Sequence, residues 1–112
     1  MAKLISFTQN DAGMLIKSVI RDNKNNPLKI DYKDKVNAHI QFPNGDCVDV
    51  KKDCITVIDR EELTVLFTVN EEYTEQDGFY QVFLEVETDN YRLSTTKAIE
   101  YFVNQRHNKG LH

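Results

Sequence analysis

The side chains best suited to proton transfer or metal binding in this chain are three histidines, His39, His107 and His112. A catalytic histidine needs an orienting partner, and a metal needs several ligands at close spacing. These three lie too far apart in sequence to form such a group, and His39 reads as a solvent-facing strand residue. Cys47 and Cys54 stand seven residues apart across an expected hairpin, but they are not a C-x-x-C pair and no second pair accompanies them. Two reduced thiols are expected. Asp22-x-Lys24-x-Asn26 has the outline of a calcium loop, yet Pro27 occupies the position that needs glycine and Lys33 the position that needs a bidentate glutamate. The acidic run Glu71-Glu72-Tyr73-Thr74-Glu75-Gln76-Asp77 reads as a solvated loop. No nucleophile elbow, P-loop or dinucleotide fingerprint occurs, and four glycines leave little material for a phosphate cradle. No catalytic, cofactor-binding or metal-binding residue is therefore expected, and no enzyme activity.

The elements that would position any remaining site are β-strands. Val, Ile and Thr total 26 residues against 4 Ala, a composition suited to pleated, half-buried surfaces. Alternation of period two recurs in short segments. Lys3–Thr8 places Ile5 and Phe7 on one face. Met14–Arg21 sets Met14, Ile16 and Ile20 against Lys17 and Arg21. Val36–Phe42 sets Val36, Ala38, Ile40 and Phe42 against Asn37, His39 and Gln41. Pro43-Asn44-Gly45 fits a three-residue hairpin loop with Gly45 in a left-handed position. That loop pairs Phe42 with Asp46, Ile40 with Val48 and Ala38 with Val50, whereas a two-residue loop would set Ile40 against Asp49. Further strands are expected over Cys54–Ile58, Leu63–Val69, Phe79–Val86 and Leu93–Val103, for seven or eight antiparallel strands in all. They form one domain over residues 1–103. Residues 104–112 have no period and read as a flexible tail, a linker or an appended remnant.

Asp77-Gly78-Phe79-Tyr80-Gln81-Val82 is similar to the tyrosine corner of immunoglobulin-like sandwiches, in which a tyrosine hydroxyl returns to nearby backbone. Val82 stands where antibody domains carry a cysteine, and the chain has no Trp. The expected fold is an all-β, antiparallel immunoglobulin-like sandwich without the disulfide. Within it Phe79 and Phe83 fall on the polar face of their strand beside Gln81, Glu85 and Glu87. With Tyr91 they are the candidate partner-binding residues. Tyr32 and Tyr73 also lie in or beside loops as candidate anchors, but for tyrosines near strand ends the preferred reading is that they cover the core edge.

The order of these segments resembles a known family. An N-terminal strand before Gln9-Asn10-Asp11, the strand Met14–Arg21, the turn Asn25-Asn26-Pro27-Leu28-Lys29-Ile30, the hairpin Ile40-Gln41-Phe42-Pro43-Asn44-Gly45, then Asp77-Gly78-Phe79-Tyr80 and a closing strand to Val103 look like the N-terminal Ig-like domain of phage baseplate upper proteins. The resemblance implies a structural adaptor in the tail baseplate of a phage or prophage. It would lie beside the distal tail protein and anchor the receptor-binding protein, in a virion assembled in the host cytoplasm, with self-association a further option. It implies no cofactor and no catalytic residue. A second reading, from a different class, is a carbohydrate-binding module, for which Phe79, Phe83 and Tyr101 would form the sugar platform. A third is a surface adhesion domain.

Composition narrows the partners. A formal net charge of -4 argues against general nucleic-acid binding, which needs clusters of Lys and Arg. The longest apolar runs fall far short of a membrane-spanning helix, and Met1–Thr8 lacks the pattern of a signal peptide. A reducing cytoplasm is the simplest compartment for two cysteines in such a chain.

Overall fold

The computed structural model describes residues 5–22, 24–89, 92–94 and 99–106. Within them the chain forms nine strands: β1 (Ile5–Thr8), β2 (Met14–Val19), β3 (Lys35–Gln41), β4 (Cys47–Asp49), β5 (Ile55–Asp59), β6 (Thr64–Val69), β7 (Gly78–Glu87), β8 (Arg92–Ser94) and β9 (Ile99–Asn104). One sheet runs β1-β9-β7-β3-β4, with β8 also on β7, and a three-stranded sheet runs β2-β6-β5. β1 lies parallel to β9, and every other pairing is antiparallel. This is an immunoglobulin-like β-sandwich.

Alternation builds the core. Tyr80, Val82, Leu84 and Val86 of β7 point inward, as do Val65, Phe67 and Val69 of β6 and Ile99, Tyr101 and Val103 of β9. Ile16 and Ile20 join them as the spacing of the second strand predicts, while Leu15 turns outward and is 61% exposed. Phe7 meets the ring of Tyr101 edge-on at 5.5 Å, whereas Ile5, its expected companion, is 38% exposed at the sheet's edge. The single expected strand Leu93–Val103 is described as two segments, β8 and β9. A 3₁₀ turn over Lys52–Cys54 delays β5 by one residue and carries Cys54 into the core.

The hairpin has the predicted register. Ile40 pairs with Val48, Phe42 N–H donates to Asp46 O at 2.8 Å, and Val50 N–H donates to Ala38 O at 2.9 Å. Gly45 has φ +96°, the left-handed conformation such a loop requires. Ile40 is nevertheless fully buried while Val48 is 43% exposed, because β4 is the edge strand of the larger sheet.

Beyond β9 proper, Arg106 is tied to the β1–β2 turn: its Nε donates to Gln9 O at 2.8 Å and its Nη2 lies 2.8 Å from Asp11 Oδ1. Residues 107–112, with His107 and His112, lie outside the described residues.

Candidate functional site

Two groups of aromatic rings occupy opposite faces of the same strands. The inner group is Tyr73, Tyr80 and Tyr101. Tyr80 and Tyr101 stack at 4.9 Å with 5° between their planes. The Tyr80 hydroxyl accepts from Gln76 N–H at 3.0 Å and donates to Gln76 O at 3.2 Å, which closes the tyrosine corner four residues upstream. The Tyr101 hydroxyl donates to Tyr73 O at 2.7 Å, and the Tyr73 hydroxyl accepts from Lys51 N–H at 3.2 Å. Burial pushes all three phenols above the ordinary tyrosine range, most strongly at Tyr101. Thr74, fully buried, seals the same end by donating to Asp11 O at 2.6 Å.

These positions agree with the core-edge reading of Tyr73 and correct the expectation for Tyr101. Tyr73 is 2% exposed and cannot anchor a partner, because the 3₁₀ turn Glu71–Tyr73 at the start of the acidic run aims it inward. Tyr101 is 0% exposed and cannot belong to a sugar platform, because it shares the inner face of β9 with Ile99 and Val103. Tyr32 is an exposed loop residue, and Tyr91 lies outside the described residues.

The outer group begins at Phe79, 50% exposed at the start of β7. It pairs across the ladder with Phe102 of β9, the rings meeting edge to face at 4.9 Å and 71°. Beside them, a shallow depression of about 350 Å³ is lined by Gln41, Phe42, Pro43, Gly78, Phe79 and Gln81. Gly78 is required here: its φ is +126°, and a Cβ would stand 2.8 Å from Pro43 Cβ. The hairpin loop and the start of β7 are thus in direct contact, which brings Pro43 alongside Phe79.

Along the outer face the next row is Gln81 and Glu100, joined by an Nε2–Oε2 hydrogen bond of 3.2 Å. Then comes Phe83, half-buried, cross-strand from His39, whose Nδ1 lies 2.7 Å from Asp49 Oδ1. The far end is ionic. Arg92 reaches Glu87 at 2.6 Å and Glu85 at 3.7 Å, so the guanidinium holds the Glu87 carboxyl below the usual carboxylate range. The face therefore grades from exposed phenylalanine at one end to paired charge at the other.

Phe79 and Phe83, named from sequence, fall on this one surface. Phe102 was not foreseen. The alternation of Ile99, Tyr101 and Val103 already turns it outward, but its place beside Phe79 depends on the β7–β9 register, which no local signal specifies.

Of the two thiols, Cys47 is exposed on β4, cross-strand from Gln41 at the edge of this face, and Cys54 is buried away from it, accepting from Asn70 Nδ2 at 3.0 Å. Burial, with Asp53 alongside, pushes the Cys54 thiol up and disfavours a thiolate. Asp22 Oδ1 accepts from the N–H groups of Lys24 and Asn26, organising its loop. Among the described residues no three His, Cys, Asp or Glu side chains cluster as metal ligands. No described helix is long and apolar enough to cross a membrane.

No known family's sequence profile matches the chain, and no curated protein matches it. Among solved structures, the Ig1 domain of mouse SynCAM 2 is similar over 91% of this chain and 89% of its own, at 7% identity and a TM-score of 0.37. That likeness carries no argument about function.

Proposed function

We propose that this chain is a non-catalytic docking domain and that the outer face of its larger sheet, centred on Phe79, Phe102 and Phe83, receives a protein partner. One observation carries the reading. The tyrosines that can be described on β7 and β9 are buried, while Phe79 of the same ladder is half in water. Phenylalanine is ordinarily the more buried type and tyrosine the one that tolerates a wet edge. A ring with no polar atom gains nothing from solvent, so its exposure points to an apolar surface that supplies it in a complex. A standard stable contact would bury on the order of 800 Å² per partner.

The resemblance of segment order to the baseplate upper protein domain supplies the finer reading: a structural adaptor in the tail baseplate of a phage or prophage, located in the virion, docking to the distal tail protein and holding the receptor-binding apparatus. The carbohydrate-binding alternative needs a coplanar row of exposed rings. The crossed geometry of Phe79 and Phe102 and the burial of Tyr101 do not favour it. The genes flanking the coding sequence test the baseplate reading. Tail-tape-measure, distal-tail and holin-like neighbours are expected, together with co-purification of this chain and the co-encoded distal tail protein. Polysaccharide-degrading neighbours, or no complex between the two purified proteins, would overturn it.

A further inference from the structure

We infer that β4 is a self-complementary edge through which two copies of this chain pair antiparallel about Val48, joining their larger sheets. The surface is an edge and not the aromatic face, so it stands apart from the docking reading.

The hydrogen-bond pattern shows what the edge offers. Phe42 N–H donates to Asp46 O and Val50 N–H donates to Ala38 O, so residues 46, 48 and 50 direct their main-chain groups to β3. By alternation, Cys47 and Asp49 direct theirs away from it, toward the open side of the sheet's last strand. All three β4 side chains are exposed, including the apolar Val48. An edge with unpaired main-chain groups is a template for another strand.

A second copy fits that template better than an unrelated strand does. Antiparallel pairing about Val48 sets Cys47 of each chain opposite Asp49 of the other as a hydrogen-bonded pair, so both outward residues of both edges are used. It sets Val48 opposite Val48 in the closer, non-hydrogen-bonded position, removing two exposed apolar side chains from water. Charge agrees with this direction. Asp46 precedes the strand and Lys51 and Lys52 follow it, so antiparallel pairing sets the acidic start of each edge toward the basic end of the other. The two Asp49 carboxylates become diagonal neighbours, each already held at 2.7 Å by His39 of its own chain.

Two other edges lack this fit. On β2 the outward row is Leu15, Lys17 and Val19, so self-pairing centred on that row opposes Lys17 to itself. On β5 the ladder is interrupted by an irregularity between Val57 and Asp59, a feature that discourages strand addition. Isologous pairing at β4 has a two-fold axis normal to the sheet, so the Phe79 and Phe102 of both copies face the same side.

The test uses the full chain. Sedimentation velocity across a concentration series is expected to show a monomer–dimer equilibrium that Val48→Lys shifts at least tenfold toward monomer, with an unchanged circular dichroism spectrum. In a Cys47→Ser background, Val48→Cys is expected to give a disulfide-linked dimer under a mild thiol oxidant, while Leu15→Cys in the same background does not. A strictly monomeric parent chain overturns the proposal. So does a Val48→Cys variant that cross-links no faster than Leu15→Cys. Rapid cross-linking of the unmodified chain through Cys47 would instead place the two-fold at residue 47 and overturn the register.

Discussion

Tyr101 and Phe102 are adjacent on one strand and pair with Tyr80 and Phe79, adjacent on another, yet the two ring pairs lead different lives. Inside, Tyr80 and Tyr101 lie nearly parallel, with each hydroxyl bonded to backbone across a loop. Outside, Phe79 and Phe102 lean on each other with no polar atom to bond and half of Phe79 in water. The inner rings are stability devices: they fill the sandwich and pin the β6–β7 connection. The outer rings add no hydrogen bond to the fold and leave half of Phe79 in water, which is the ground on which a partner is proposed for them.

Substitution should separate the two pairs sharply. Tyr101→Ala removes a buried ring and the bond to Tyr73 O, and is expected to cost about 3–5 kcal/mol, enough to leave much of the population unfolded by urea titration. If Tyr101→Ala proved no more damaging than Phe102→Ala, the distinction between faces would fail.

Alkaline pH probes the same contrast without mutation. The three buried phenols have folded-state pKa values raised above the unfolded value of about 10, so the folded chain holds protons that the unfolded chain releases. Their contribution is fully present below that pH and is lost as pH rises beyond it. Unfolding followed by circular dichroism is therefore expected to set in above about pH 10, together with tyrosinate absorbance. Tyrosinate absorbance amounting to more than that of the two other tyrosines of the chain, Tyr32 and Tyr91, well before the fold is lost would contradict the burial of these rings.

A smaller effect sharpens the comparison. Tyr80→Phe keeps the ring and removes the hydroxyl, leaving Gln76 N–H without its acceptor, at a cost of about 1–3 kcal/mol by thermal or denaturant unfolding. An unchanged midpoint would show that the corner hydrogen bonds are dispensable.

Much of this was readable from the chain. The hairpin register followed from Pro43-Asn44-Gly45 together with Ile40 and Val48, because loop length and face alternation act over neighbouring residues. The corner followed from Asp77-Gly78-Phe79-Tyr80 for the same reason. Tyr73 was placed at a core edge only by the general habit of strand-end tyrosines, and Tyr101 was misread as a surface candidate. A 3₁₀ turn inside an acidic run gives no periodic signal of its facing, whereas the alternation of β9 did contain the answer for Tyr101. The site itself was half legible. Phe79 and Phe83 stood out against the polar face of β7, but Phe102 and Pro43 join Phe79 only through strand pairing and the close approach at Gly78.

The central claim is that the outer rings serve a partner and the inner rings serve the fold. Phe79→Ser tests it most directly, read in one preparation by thermal midpoint and by affinity for the distal tail protein proposed as its partner. The midpoint is expected to move by less than about 4 °C, corresponding to under about 1 kcal/mol, while affinity falls at least tenfold. A large drop in midpoint with affinity retained would contradict the account.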